Sequence, residues 1–109
     1  MKSITEWQQE VHSIARSKGF DVRERNVAES LCLIHSEVSE AMECWRDDDM
    51  EMRYAPDGSG KPEGLPSELA DVVIRVMDFM EGFGMNLEEA MEIKAAFNRG
   101  RPQLHGRVR

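Results

Sequence analysis

The sequence lacks the long apolar runs, the clustered cysteines and the basic excess that mark several common classes of protein. No segment of the 109 residues is apolar over the length that a bilayer requires, about 20 residues for a helix. Cys32 and Cys44 belong to no Cys/His cluster with zinc spacing. The first residues, MKSITEWQQE, show no basic stretch followed by an apolar core. We therefore expect a cytoplasmic protein with no membrane partner and no structural zinc.

Negative charge predominates, and it is unevenly distributed. The chain has 21 Asp and Glu against 14 Lys and Arg, a formal net charge of −7. All 21 acids and nine of the bases lie in residues 1–92, which carry −12, whereas residues 93–109 hold five bases and no acid. An acidic body repels nucleic acid at long range, so a nucleic-acid partner is not expected. The basic tail, residues 99–109, remains available to an anion.

The length and the apolar content predict one folded domain over residues 1–109. The chain is 40% hydrophobic and 32% charged, too apolar for a disordered polyelectrolyte. A chain of this size has room for one modest core and no second domain.

Four amphipathic segments predict an all-α fold. The first helix is expected over 4–18, after a capping box formed by Ser3 and Glu6. A long second helix follows Asn26 and ends near residue 47, a third begins at Pro66 and stops at Gly82, and a fourth begins after Asn86 and ends before Gly100. Residues 47–66, which are rich in Pro and Gly, are expected to form a long loop. The simplest arrangement is a four-to-five-helix bundle in which the two long helices pair antiparallel.

Each of the two long helices carries a pair of acids on a partly apolar side. Glu37 and Glu40 on the second helix, and Glu68 and Asp71 on the third, are spaced i, i+3 and so share a helix face. The second helix has no base between Arg25 and Arg46 to pair with its acids. Buried carboxylates need a partner or a cation.

Antiparallel packing would bring these four carboxylates together as a metal site. Hard oxygen ligands of this kind suit Mg²⁺, with Mn²⁺ as a possible substitute. A di-iron bundle would require Glu-x-x-His motifs, and neither glutamate of the second helix has a histidine three residues later. A solvated acidic face with no metal is the alternative reading of the same spacing.

Three segments together resemble the MazG-like branch of the all-α nucleoside triphosphate pyrophosphatases. They are LIHSEVSEAMECWR, KPEGLPSELADVVIRVMDF and KAAFNRGRPQLHGR, and the resemblance covers roughly residues 27–107. It implies a homo-oligomeric helical enzyme, a dimer or tetramer. The implied reaction uses Mg²⁺ to hydrolyse a nucleoside triphosphate to the monophosphate and pyrophosphate.

The resemblance also implies roles for seven residues. Glu37, Glu40, Glu68 and Asp71 would bind the metal ions, with Glu37 and Glu40 also serving catalysis. Lys94, Asn98 and Arg101 would bind the nucleotide. One position departs from the pattern, because Ser36 stands where many relatives have a further glutamate, so the identity of the general base stays open between Glu37, Glu40 and unaided metal-bound hydroxide.

Several alternatives remain open at this point. Within the same enzyme class, a phosphoribosyl-ATP pyrophosphohydrolase or a dUTPase-type relative would share the chemistry and differ in its nucleotide contacts. From other classes, a non-enzymatic helical oligomerisation or adaptor protein would use its acids only as a solvated face, and a nucleic-acid-binding module would use the Arg-rich tail. The sequence does not specify which nucleotide base or sugar is preferred.

Overall fold

The computed structural model describes residues 1–102 and is built mainly of helices. In chain order its elements are α1 (Ile4–Ser17), a 3₁₀ helix (Val22–Glu24), α2 (Val27–Arg46), β1 (Arg53–Tyr54), β2 (Pro62–Glu63), α3 (Leu65–Gly82) and α4 (Leu87–Gly100). The expectation of an all-α fold class is confirmed at this level. Residues 103–109, which make up most of the predicted basic tail 99–109, lie outside the described residues.

Side-chain caps fix the starts of three helices where the sequence predicts them. The Glu6 amide donates to Ser3 Oγ at 3.1 Å, and the Ser3 amide donates to the Glu6 carboxylate at 2.7 Å, so the capping box is complete. Asn26 and Asn86 each accept a backbone amide of the following turn, at 3.2 and 3.0 Å. Caps of this type each stabilise a helix by about 1 kcal/mol.

The structure differs from the prediction in the 47–66 segment, where a short hairpin replaces a plain loop. β1 and β2 pair antiparallel, with Arg53 opposite Glu63. Two-residue strands are too short for the alternation that identifies strands in a sequence. Smaller differences concern α3, which begins one residue early at Leu65, and α4, which includes Gly100.

Contacts at its base tie the hairpin to the ends of α2 and α3. The Arg53 guanidinium donates to both carboxylate oxygens of Asp49, at 2.8 and 2.9 Å, and to Glu63 at 2.8 Å. The Leu65 amide donates to the Asp49 carbonyl at 2.9 Å. Between them Gly64 adopts φ 102°, and a Cβ there would collide with the Glu51 carbonyl oxygen, so this turn requires glycine.

α3 is the centre of the packing. α1 and α2 both pack against α3, and α4 packs against α1. α2 and α3 run antiparallel, because Glu37 contacts Arg75 late in α3 whereas Glu40 lies beside Glu68 near its start. This antiparallel pairing agrees with the predicted arrangement of the two long helices.

The core within one chain is small. Among the described residues the buried apolar side chains are Val11, Val22 and Ala41. The radius of gyration is 16.6 Å, against about 13 Å for a compact chain of this length. Many large apolar side chains are exposed, Trp45 and Phe97 at 61% among them. A single copy therefore leaves much of its apolar surface in water.

Two further observations concern the cysteines and the possibility of a membrane-spanning helix. Both cysteines are free, with Cys32 exposed and Cys44 half-buried. Within residues 1–102, the helices are too short or too polar for any of them to span a bilayer.

Candidate metal centre

Two acids of α2, Glu37 and Glu40, lie on the side of that helix that faces α3. Glu37 is buried, at 8% exposure, while Glu40, one turn later, is exposed. The Arg75 Nε on α3 donates to Glu37 Oε1 at 2.9 Å. Glu37 is therefore held in place by a salt bridge between the two helices, and its other oxygen is not engaged by that bond.

Three of the four predicted carboxylates come together between α2 and α3. Glu37, Glu40 and Glu68 each present an oxygen within 4.8 Å of the others, and we call these three residues the acidic cluster. Glu68 is in the first turn of α3, directly after the hairpin. Asp71 is not a member of this group. It lies one turn further along α3 and lines a cavity together with Glu37.

The electrostatics of these carboxylates are unfavourable in the absence of a cation. Partial burial raises the pKa of Glu68, and the charges of Glu40, Asp71 and Glu37 raise it further. Burial and the charge of Glu37 likewise raise the pKa of Asp71, against a lowering by Arg75 and Lys61. Neutralising cations would relieve this repulsion.

The donor set and its spacing fit a hard divalent cation. All three ligand atoms are carboxylate oxygens within 4.8 Å of one another. Octahedral Mg²⁺ places its oxygens about 2.1 Å from the metal, and hence at most about 4.2 Å apart. The observed limit of 4.8 Å is close to that spacing, so small side-chain movements would be sufficient to reach it. Asp71 is one turn away, where a second ion or a water-mediated contact would involve it.

A cavity of about 340 Å³ adjoins the cluster, between α1, α2 and α3. Its walls are both apolar and charged. The lining residues are Val11, Ala15, Phe20, Arg25, Glu37, Asp71, Ile74, Arg75 and Asp78. Glu37, a member of the acidic cluster, and Asp71 both line this cavity, so a ligand in the cavity would reach their carboxylates. A volume near 300 Å³ is within the range of small-molecule sites.

Two contacts in this region are not evident from the sequence. His12 on α1 and Asp78 on α3 lie 2.7 Å apart, between Nδ1 and Oδ1, with both side chains mostly buried. The Glu37–Arg75 salt bridge also escapes sequence reasoning. A signal for it is the position of Arg75 seven residues after Glu68, which places both side chains on the same face of α3.

The predicted nucleotide-binding residues are placed elsewhere. Lys94 and Asn98 lie on α4 and Arg101 directly follows it, and all three are exposed. Lys94 Nζ and the Arg101 guanidinium lie 5.9 and 5.8 Å from the ring centre of Phe97. α4 packs on α1, and in the part of the chain that the structure describes no hydrogen bond or salt bridge joins these three residues to the acidic cluster. One chain does not bring the two groups together.

Comparisons with protein-family models, with curated proteins and with solved structures found no match for this chain.

Proposed function

We propose that the protein is a Mg²⁺-dependent nucleotide pyrophosphohydrolase of the MazG-like type, which cleaves a (d)NTP to the (d)NMP and pyrophosphate. The observation that carries this proposal is the acidic cluster, with three carboxylate oxygens within 4.8 Å at the α2–α3 contact. The neighbouring cavity and the raised pKa values of Glu68 and Asp71 support it. Mn²⁺ would satisfy the same donors.

The acids supply the binding part of the mechanism. Glu37, Glu40 and Glu68 would hold the first ion, and Asp71 would extend the site along α3. Mg²⁺ bound there would supply positive charge against the phosphates and would lower the pKa of water for its attack at the α-phosphorus. Arg75 keeps Glu37 in the orientation that the cluster requires, through its 2.9 Å hydrogen bond.

Glu40 is our candidate for the general base. Ser36 cannot serve, because a neutral hydroxyl is not basic enough near neutral pH, and this hydroxyl donates to the Leu33 carbonyl of its own helix at 3.0 Å. Glu37 is engaged by Arg75. Glu40 forms no salt bridge within residues 1–102 and is exposed, so the one of its two oxygens that does not bind the metal would accept the proton of the attacking water. The nucleoside would occupy the cavity, with Phe20 and Ile74 as apolar walls.

We also propose that the active form is a homo-oligomer, at least a dimer. Val38, Ala41, Met42, Trp45 and Leu65 line a shallow apolar groove of about 410 Å³, on the outer flank of the α2–α3 pair. Leu69 and Val73, each 49% exposed, continue this apolar face along α3. A second copy covering it would supply the core that one chain lacks.

The oligomer also accounts for the position of α4. Lys94, Asn98 and Arg101 lie beside exposed apolar side chains, Ile93 at 63% and Phe97 at 61%. We propose that α4 packs against a neighbouring protomer and brings these three residues to its acidic cluster, where they bind the nucleotide.

A panel of the eight common NTPs and dNTPs with Mg²⁺ tests the reaction. We expect pyrophosphate and a monophosphate from at least one of them, and no orthophosphate with a diphosphate. Glu40→Gln should abolish turnover and leave the helical circular dichroism intact. Glu43→Gln, which changes an exposed glutamate on the same helix, should retain turnover. Full activity in Glu40→Gln would remove this residue from the site.

Sedimentation velocity tests the assembly. Wild type should sediment as a dimer or tetramer at micromolar concentration, and Val38→Asp, which puts a charge in the apolar face, should shift it toward monomer. The neighbouring Ser39→Asp, on a different side of α2, is the matched control. A wild-type monomer would contradict the proposed assembly.

A further inference from the structure

Lys61 is the cation of the 47–66 segment that is left without a salt bridge among the described residues. The segment has one other base, Arg53, whose guanidinium is fully engaged with Asp49 and Glu63. Lys61 is exposed, and no salt bridge within residues 1–102 includes it. Its ammonium group is therefore available to a ligand.

The backbone at Lys61 is held in a defined place. The Ala55 amide donates to the Lys61 carbonyl at 2.8 Å, across the hairpin. The Lys61 amide donates to Ser59 Oγ at 3.2 Å. Because the hairpin is tied at its base to α2 and α3, Lys61 stands at a fixed position just before α3. It has a flexible side chain on an ordered backbone.

This position is next to the start of α3, because β2, which begins one residue after Lys61, packs against that helix. Two residues separate Lys61 from Gly64, which caps α3, and Glu68 follows in the first turn of that helix. The charge of Lys61 lowers the pKa of both Glu68 and Asp71 against the other influences on them. Among residues 1–102, Lys61 is the cation whose charge lowers the pKa of Glu68, whereas Lys94 and Arg101 lie on and after α4.

A cation near the carboxylates but outside contact with them has a specific consequence. Without metal, Lys61 partly neutralises the cluster. Once divalent cations occupy the carboxylates, the negative charge of the acids is largely neutralised and the cluster no longer attracts the ammonium. Its favourable partner is then an anion bound at the same site.

We propose that the Lys61 ammonium binds the pyrophosphate portion of the nucleotide from the hairpin side of the acidic cluster, as a substrate-binding residue of the proposed reaction. This inference rests on the proposed function. On this proposal Lys61, a residue of the hairpin in the same chain as the acidic cluster, neutralises the leaving pyrophosphate. The hairpin is then a part of the site.

Binding measurements distinguish this role from a structural one. The probes are Mn²⁺ alone, and then a non-hydrolysable α,β-imido nucleoside triphosphate, of the nucleoside that the panel selects, with Ca²⁺. In Lys61→Ala the affinity for the triphosphate analogue should fall about tenfold, the loss expected for one charge-assisted contact. The affinity for Mn²⁺ should stay equal or rise, because a like charge has been removed from beside the ligands. Lys61→Arg should restore most of the analogue binding.

Two comparisons locate the contact. Inorganic tripolyphosphate should lose affinity in Lys61→Ala by a factor similar to that of the analogue, whereas the nucleoside monophosphate should bind as it does to wild type. An equal loss for the monophosphate would overturn the assignment to the pyrophosphate portion. Lys18→Ala, an exposed lysine near the end of α1, is the charge-matched control, and a loss equal to that of Lys61→Ala would show a nonspecific charge effect and refute the inference.

The two proposals fail in different ways. If wild type binds Mn²⁺ and the analogue, and Lys61→Ala binds both equally well, only the role of Lys61 is wrong. If wild type binds neither, the pyrophosphohydrolase proposal is wrong and the role of Lys61 is refuted with it. Because Lys61 is exposed, Lys61→Ala and Lys61→Gln are expected to fold, and circular dichroism checks this.

Discussion

Replacing Glu68 by glutamine should stabilise the metal-free protein and remove its response to Mg²⁺. In the wild-type chain, partial burial and the neighbouring carboxylates raise the pKa of Glu68. At neutral pH its ionised form is therefore a cost to the folded state. Glutamine keeps the shape of the side chain and removes the charge.

The geometry sets the size of the effect. The carboxylate oxygens lie within 4.8 Å of one another, and at that limit two unit charges repel by about 0.9 kcal/mol in water and by about 3.5 kcal/mol at an effective permittivity of 20. Glu68 and Glu40 are both solvent-accessible, so the lower end applies. We expect Glu68→Gln to raise the free energy of unfolding by about 1 kcal/mol, which for a chain of this length is a rise in Tm of about 4 °C or more.

Thermal unfolding at fixed protein concentration, with EDTA or with Mg²⁺, measures both the stability of the metal-free protein and its response to Mg²⁺. Wild type should gain in Tm on adding Mg²⁺, because only the folded state assembles the three carboxylates. Glu68→Gln should start higher in EDTA and gain little. Glu43→Gln, with its charge removed from outside the cluster, should behave as wild type. If Glu68→Gln had a lower Tm than wild type in EDTA and an undiminished Mg²⁺ shift, the inference that these carboxylates repel one another and bind Mg²⁺ would be refuted.

Three other predictions address the surroundings of the site. Because the pKa values of Glu68 and Asp71 are raised, the folded state binds more protons than the unfolded chain at pH values between the ordinary and the raised pKa. The stability of the metal-free protein should therefore fall as the pH rises through that window. The Mg²⁺ shift in Tm should shrink as the pH is lowered, and it should begin to do so above pH 4.5. Arg75→Met should lower the free energy of unfolding by about 2 kcal/mol, since it leaves buried Glu37 unpaired, and urea titration should show recovery when Glu37→Gln is added. Gln8→Leu should cost about 2 kcal/mol by the same titration, because buried Gln8 donates to Glu81 and the Met85 carbonyl and accepts from the Leu87 amide; a stability within 0.5 kcal/mol of wild type would exclude this contribution.

The helices and the faces of their acids could be derived from the sequence. Caps and glycine stops are local signals, and they located the ends of α1, α2, α3 and α4 within about two residues. The i, i+3 spacing also predicted that Glu37 and Glu40 share a side of α2, because 100° per residue determines the angular position of a side chain on its own helix. The hairpin did not emerge, since it depends on contacts of Arg53 with residues four before and ten after it.

The sequence by itself determined the fold class, the helix boundaries and the two acidic faces, because all of these follow from local backbone preferences and periodicity. Only the tertiary structure decided that Glu68 joins Glu37 and Glu40 while Asp71 stays one turn away. It also decided that Arg75 holds Glu37, that the hairpin packs against α3, and that α4 lies on α1. These features depend on the rotation and separation of neighbouring helices, which are set by packing between residues distant in the chain.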